Sequence, residues 1–183
     1  MNYSEYKINQ SRLILVQGDI TKQVTYAIVN AANSQLSPGG GVSGAIHRVA
    51  GSELWEECRK LDGCKTGEVK ITKGYNLPAK FVIHTVGPVY SGRPQDKMDL
   101  ANCYRNSLEI ALKNNMKSIS FPSISTGIFG YPVKEASEIA ITTIIEYLEE
   151  HAEIERVRLV LLSEEDFNVY RDTTKAILKL KVD

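Results

Sequence analysis

The sequence predicts an α/β fold: a three-layer α/β/α sandwich around a mixed, largely parallel central sheet. Three observations carry this expectation. Strand-like and helix-like patterns alternate along the chain. Strand segments such as Leu13–Val16 and Ala27–Val29 are apolar throughout rather than on one face only. The 183 residues contain no repeat, no low-complexity tract and no linker that would divide them. Strands apolar on both faces belong between two helical layers, and a chain of this length fits one domain, residues 1–183.

The elements follow in order. Leu13-Ile14-Leu15-Val16 reads as a strand closed by Gly18-Asp19, and Ala27-Ile28-Val29 as a second. A glycine-rich loop then delivers the chain into a helix from about Ser43 to Ala50, and Ser52 to Lys60 forms another after Gly51. Val69 to Thr72 and Lys80 to Val86 are β-rich and separated by the turn residues Asn76 and Pro78. Gly87 to Gln95, containing Pro88, Gly92 and Pro94, reads as a loop. Met98 to Asn114 places Leu100, Tyr104, Leu108 and Leu112 at helical spacing. Ser118 to Phe121 is a strand, and Pro132 stands as the first residue of a helix running to about Glu150. Arg156 to Leu162 is a near-continuous apolar strand, and Asp166 to Leu178 is a closing helix.

Composition narrows the function. Lys plus Arg and Asp plus Glu are both 22, so the formal net charge is zero. Unspecific nucleic-acid binding needs a broad basic field, and no nucleic-acid partner is expected. An anionic ligand would have to be held by local backbone donors. Cys58, Cys64 and Cys103 are odd in number without a CxxC pair, and read as reduced thiols of a cytoplasmic protein. The N-terminal residues are too polar for a signal peptide, and no apolar run approaches a membrane span. The expectation is a soluble monomer with no membrane partner, no cofactor and no metal. Cys58, Cys64 and a histidine lack the spacing of a zinc site, and Glu53, Glu56 and Glu57 read as a solvated helix face.

One stretch stands apart: Asn30-Ala31-Ala32-Asn33, a loop to Gly39-Gly40-Gly41, then Val42-Ser43-Gly44-Ala45-Ile46-His47. An apolar strand feeds two amide side chains into a glycine loop that opens a helix. Successive glycines let the backbone approach a ligand closely, and the free N–H groups of a helix start favour an anion. A second loop, Ser123-Ile124-Ser125-Thr126-Gly127-Ile128-Phe129-Gly130-Tyr131, also follows a strand and precedes a helix. It too offers backbone donors to a phosphate. Gly18-Asp19 and both loops follow strands directly, which places them on one rim of the sheet. Two anion cradles on one rim point to a diphosphate gripped from both sides, as in a nucleotide-sugar or dinucleotide. Gly39, Gly41 and Gly44 also satisfy G-x-G-x-x-G. Asn30 to Pro38, however, separates the strand from the first glycine, and no acid ends the next strand as a dinucleotide-binding oxidoreductase requires.

Six linked motifs carry a family resemblance: Gly18-Asp19-Ile20-Thr21, Val29-Asn30-Ala31-Ala32-Asn33, Gly39-Gly40-Gly41-Val42, Gly44-Ala45-Ile46-His47, Ile83-His84-Thr85-Val86-Gly87-Pro88 and Phe121-Pro122-Ser123-Ile124-Ser125-Thr126-Gly127. Together they resemble a macrodomain of the MacroD type, from about Leu13 to Tyr170. That family binds ADP-ribose, and many members hydrolyse ADP-ribose esters on protein carboxylates or O-acetyl-ADP-ribose.

The resemblance assigns roles. Asp19, with Ile20 beside it, matches the adenine-reading acid, a role compatible with capping the next helical turn. Asn33 matches the asparagine at the distal ribose, which leaves Asn30 to brace the loop. Gly40, Gly41, Val42 and the backbone from Ser125 through Thr126, Gly127, Ile128 and Phe129 to Gly130 would hold the diphosphate. Phe129 resembles the aromatic packed near the distal ribose, and Phe167 the ring against adenine. Without the family, Phe129 reads equally as a ring plugging its loop into the core, and Phe167 reads as a core residue at a helix start.

The departure from the family lies at Ser43, where MacroD-type hydrolases usually carry aspartate, and Pro38 replaces the first of four glycines. The aspartate is thought to orient the catalytic water. A serine can donate or accept a hydrogen bond but supplies no charge and no unaided general base. Viral macrodomains resemble this loop with a small residue there and are still regarded as hydrolases, a substrate phosphate oxygen positioning the water. The catalytic candidates are therefore Asn33, Ser43, Gly41 and, in support, His47. His47 lies one helical turn after Ser43 and reads either as a pocket histidine or as a buried one bonded to backbone. His84 reads as structural. Three functions remain open: a hydrolase of ADP-ribosylated acidic side chains or of O-acetyl-ADP-ribose, which is preferred; a non-catalytic reader of ADP-ribose or ADP-ribosylated protein; and an ADP-ribose 1''-phosphate phosphatase.

Overall fold

A computed structural model describes residues 1–182. Seven strands form one sheet: β1 (Tyr3–Ile8), β2 (Ser11–Gln17), β3 (Ala27–Ala31), β4 (Val69–Lys73), β5 (Phe81–Thr85), β6 (Ser118–Phe121) and β7 (Arg156–Leu161). The helices are α1 (Gly41–Ala50), α2 (Ser52–Cys58), α3 (Pro94–Lys113), α4 (Val133–Glu150) and α5 (Glu164–Val182). The strand order is β1-β2-β7-β6-β3-β5-β4. The five inner strands run parallel, and β1 and β4 close the edges antiparallel. The sheet is mixed and largely parallel, as the sequence predicts.

Strand alternation sends side chains to two separate cores. Leu13, Leu15, Val29, Ile83 and Leu159 face α3, α4 and α5, while Val16, Ile28, Val82 and Val160 face α1 and α2. These two apolar layers explain why β2 and β3 carry continuous apolar runs. On α3, Leu100, Tyr104 and Leu108 are fully buried against the sheet, as their spacing requires.

One strand and several boundaries differ from the sequence reading; α1 also opens at Gly41 and α5 at Glu164. β1 was not expected: its residues alternate between exposed and inward-facing, and at a sheet edge an alternating polar strand suffices. Helix α3 starts at Pro94, inside the expected loop, because proline fits the first helical turn and the Asp96 carboxylate accepts bonds from Ser91 and Gly92 N–H groups (2.7 and 3.0 Å). Pro132 precedes α4 as its cap rather than opening it. Helix α2 ends at Cys58, and Arg59–Leu61 tighten into a 3-10 turn closed by Asp62 in the left-handed region (φ 60°).

Candidate active site

Between β3 and β6 the chain departs in opposite directions. From β3 it passes to α1 on one face of the sheet, and from β6 to α4 on the other. Such divergence leaves a crevice at the carboxyl ends of the strands. A cavity of about 280 Å³ opens there. One wall consists of Ala31, Ala32, Asn33 and the run from Gly39 to Ser43; the other consists of Gly87, Ser123, Ile124, Ser125, Gly127, Ile128 and Phe129. None of these residues is charged, so an anion entering the cavity meets backbone dipoles first. A larger groove of about 1070 Å³ crosses α3, α4 and α5 and reaches the second loop only at Tyr131.

The first wall is built from glycine geometry. Gly40 caps α1 and no side chain caps that helix, so its first-turn N–H groups keep no side-chain partner. Gly41 is in the left-handed region (φ 54°), and a Cβ on Gly40 or Gly41 would meet nothing within 4 Å. Gly44 is different, because a Cβ there would overlap the Gly39 carbonyl oxygen. That close approach curls the loop back onto its helix.

The second wall is a strained turn. Ser125 holds a left-handed backbone (φ 67°) without being glycine. Gly130 N–H donates to the Gly127 carbonyl (3.0 Å) and Tyr131 N–H to the Ser125 carbonyl (2.9 Å). Among the described residues, the N–H groups of residues 126–129 donate to no protein acceptor. A third segment braces this turn, the Gly87–Tyr90 stretch, for which the sequence predicts a loop and a family motif at Gly87-Pro88 but no site residue. Ser125 Oγ donates to the Pro88 carbonyl (2.8 Å), Tyr90 N–H donates to the Phe129 carbonyl (2.8 Å), and the Tyr90 and Tyr131 rings sit 4.9 Å apart. The available signal was Gly87-Pro88 following a strand on the same rim.

A buried polar pair stands in and behind the first wall. Ser43 and His47 sit one turn apart on α1, 6% and 8% exposed, and neither Ser43 Oγ nor either His47 ring nitrogen has a hydrogen-bond partner. His47 is therefore not the backbone-bonded histidine that one reading expected. Burial lowers its pKa, so the ring is neutral near pH 7. Fully buried His84 takes the structural place: its Nδ1 accepts from Asn30 Nδ2 (3.1 Å), which puts the ring proton on Nε2, 2.9 Å from Thr72 Oγ1. Burial, reinforced by nearby His47, pushes His84 down to about 3.

The structure brings Asn33, Gly40, Gly41, Val42, Ser43, Ser125, Gly127, Ile128 and Phe129 into one cavity. Five predicted residues lie outside its lining. Asp19 follows β2, separated from β6 by β7, roughly 10 Å away at the usual strand spacing. Its Oδ1 accepts from Thr21 N–H (2.9 Å) and Thr21 Oγ1 (2.7 Å); the hydroxyl bond holds the carboxyl below its ordinary range. Ile20 is a core residue. His47 lies behind the wall. The Thr126 hydroxyl turns down to Ser123 Oγ (2.8 Å) instead of into the cleft. Phe167 is 2% exposed and packs in the larger core, where the helical pattern of α5 places it. Asn33 keeps its place in the cavity lining, but the bracing role expected of Asn30 falls to it as well. Asn33 braces its own loop, accepting from Ser37 N–H (3.0 Å) and donating to the Ser37 carbonyl (3.0 Å), while Asn30 turns inward to His84.

Comparison with known proteins agrees with this geometry. Residues 29–140, more than half of the chain, match the family described as Macro domain. The chain is 55% identical over 162 residues to Macro domain-containing protein CT2219 of Chlorobaculum tepidum, covering 88% of this chain and 94% of that protein. It is 48% identical over 173 residues to ADP-ribose glycohydrolase MACROD1 of Mus musculus, covering 93% of this chain but only 54% of that protein, about half its length. The Oceanobacillus iheyensis macrodomain with ADP superposes at a TM-score of 0.95 with 46% identity, covering 97% of each chain. With a Macro domain match across both glycine loops and a near-complete structural counterpart, the chain belongs to the macro domain family.

Proposed function

We propose that the cleft binds ADP-ribose and that the protein hydrolyses ADP-ribosyl esters, either mono-ADP-ribose on acidic side chains or O-acetyl-ADP-ribose. The diphosphate lies between the two backbone cradles, α1's uncapped first turn on one side and the N–H groups of residues 126–129 on the other. Such preorganised dipoles stabilise charge that develops during reaction without having to reorganise. Asn33 and Phe129 frame the distal ribose, and Asp19 reads adenine from beyond β7. Similarity to a protein named as an ADP-ribose glycohydrolase, and to a macrodomain holding ADP, supports this reading. Three buried free cysteines fit a reducing, cytoplasmic setting.

The observation that carries the mechanism is the uncharged lining. Among the described residues no carboxylate faces the cavity, and Ser43 stands at the start of α1 with its hydroxyl unpartnered. With no carboxylate base to deprotonate water, a phosphate oxygen of the substrate holds the attacking water, and the enzyme supplies position and charge stabilisation. The test is a time course on a protein mono-ADP-ribosylated at Glu or Asp, following capture and release together, with O-acetyl-ADP-ribose alongside. Release of ADP-ribose supports hydrolysis. Tight capture without release makes the protein a reader, the outcome the missing carboxylate would favour. Turnover of ADP-ribose 1''-phosphate alone makes it a phosphatase.

A further inference from the structure

The second cradle stands on a pair of buried tyrosines. Tyr104 from α3 and Tyr170 from α5 are both fully buried beneath the strand-to-loop junction at Pro122. Ile124 N–H donates to the Tyr104 hydroxyl (3.2 Å), which in turn donates to the Pro122 carbonyl (3.4 Å). The Tyr170 hydroxyl lies 2.7 Å from Ser123 Oγ, and Ser123 Oγ also accepts from Thr126 Oγ1 (2.8 Å). Residues 122, 123, 124 and 126 are thus tied to two hydroxyls that arrive from two different helices.

Packing does not need these hydroxyls. The Tyr104 ring packs against Phe121 with centroids 5.1 Å apart, a contact that phenylalanine would make equally. A buried hydroxyl is unfavourable unless it is bonded, so its presence marks what it bonds. Apart from each other, the two hydroxyls bond atoms of the Pro122–Ile124 segment, which leads into the loop whose upper face lines the cavity. Burial holds Tyr104 well above its ordinary pKa and Tyr170 at about 12, so both remain protonated donors across the physiological range.

We propose that Tyr104 and Tyr170 are positioning residues for ligand binding: their hydroxyls fix the height and tilt of the Ser123–Thr126 backbone so that the following N–H groups meet the diphosphate. The inference rests on the diphosphate reading above. Pulling Ile124 N–H inward and anchoring Ser123 from below fixes the plane from which residues 126–129 project. Networks of this kind act through every member, so the effects of removing two members do not add.

The experiment uses Tyr104→Phe, Tyr170→Phe, Ser123→Ala and the Tyr170→Phe/Ser123→Ala double variant, with Kd for ADP-ribose and for ADP measured by calorimetry and melting temperature in parallel. Each phenylalanine variant should weaken both ligands about fivefold, the factor one net hydrogen bond carries. The double variant should lose no more than its worse parent, and with a turned-over substrate the loss should fall on KM rather than kcat. Thr126→Val, which removes the outer hydroxyl of the same chain, provides an independent check should Tyr104→Phe fail to fold. Unchanged Kd in Tyr170→Phe and Thr126→Val overturns the proposal, as does a loss that merely tracks the melting temperature. Absence of ADP-ribose binding by the unsubstituted protein would defeat the functional reading itself, which separates the two failures.

Discussion

Gly87 and Ser125 interlock across the second wall of the cleft: a Cβ on Gly87 would overlap Ser125 Oγ and lie 2.7 Å from Ile124 Cγ2. Ser125 cannot yield, because its hydroxyl donates to the Pro88 carbonyl (2.8 Å) and its backbone is already left-handed (φ 67°). Gly87→Ala should therefore displace the 124–129 turn. ADP-ribose affinity should fall at least about tenfold, with destabilisation of about 1–3 kcal/mol as for other overpacked sites. Calorimetry and a melting curve on one preparation test both.

Gly127 gives the opposite case. A Cβ there meets nothing within 4 Å, and the residue lines the cavity. Gly127→Val should leave the melting temperature within about 2 °C, as exposed substitutions usually do, while blocking ADP-ribose. Unimpaired binding would remove residues 126–129 from the diphosphate site.

Ser43→Asp tests the water-activating scheme. A carboxylate acting as general base is worth about 10²–10⁴-fold. If substrate phosphate already positions the water, the variant should gain less than about threefold in single-turnover release. A gain within the general-base range would show that Ser43 is a deficit.

Asp19 separates its two roles cleanly, since its cap bonds use Oδ1. Asp19→Asn keeps an acceptor there, so stability should change by less than about 1 kcal/mol. Loss of the carboxylate toward adenine should weaken ADP-ribose about tenfold, as hydrogen bonds to charged groups do. Equal affinity would confine Asp19 to capping.

His84 and His47 make stability depend on pH. Both pKa values are lowered in the folded protein, His84 to about 3, so the unfolded chain binds more protons as pH falls below about 6.5. Their contribution is complete above pH 6.5 and is lost progressively on acidification toward the folded values. The melting temperature should fall steadily from pH 6.5 to 4, and His84→Gln should flatten that slope. An unchanged slope would place the acid sensitivity elsewhere.

Much of this architecture was legible along the chain. Apolar runs such as Leu13–Val16 and Arg156–Leu162 identify inner strands because burial on both faces removes polar alternation. The Gly39–Gly41 and Ser123–Tyr131 loops announce themselves because each follows a strand and opens a helix. β1 stayed hidden, since an edge strand faces water on one side and is satisfied by residues that also suit a loop. The start of α3 stayed hidden because proline marks loops and helix starts alike.

The sequence by itself determined the layered α/β class, the rim that carries the site, and the two backbone cradles, because periodicity and glycine placement are local properties. It also determined that Ser43 brings no charge to the first cradle. Only the tertiary structure decided that Asn33 bonds its own loop while Asn30 meets His84, residues 54 positions apart in sequence. Likewise it alone decided that His47 and Ser43 Oγ are buried without partners, and that Tyr104 and Tyr170 converge under Ser123. Those facts depend on how strands β3, β5 and β6 and helices α3 and α5 pack together, and no local pattern encodes the packing of elements distant in sequence.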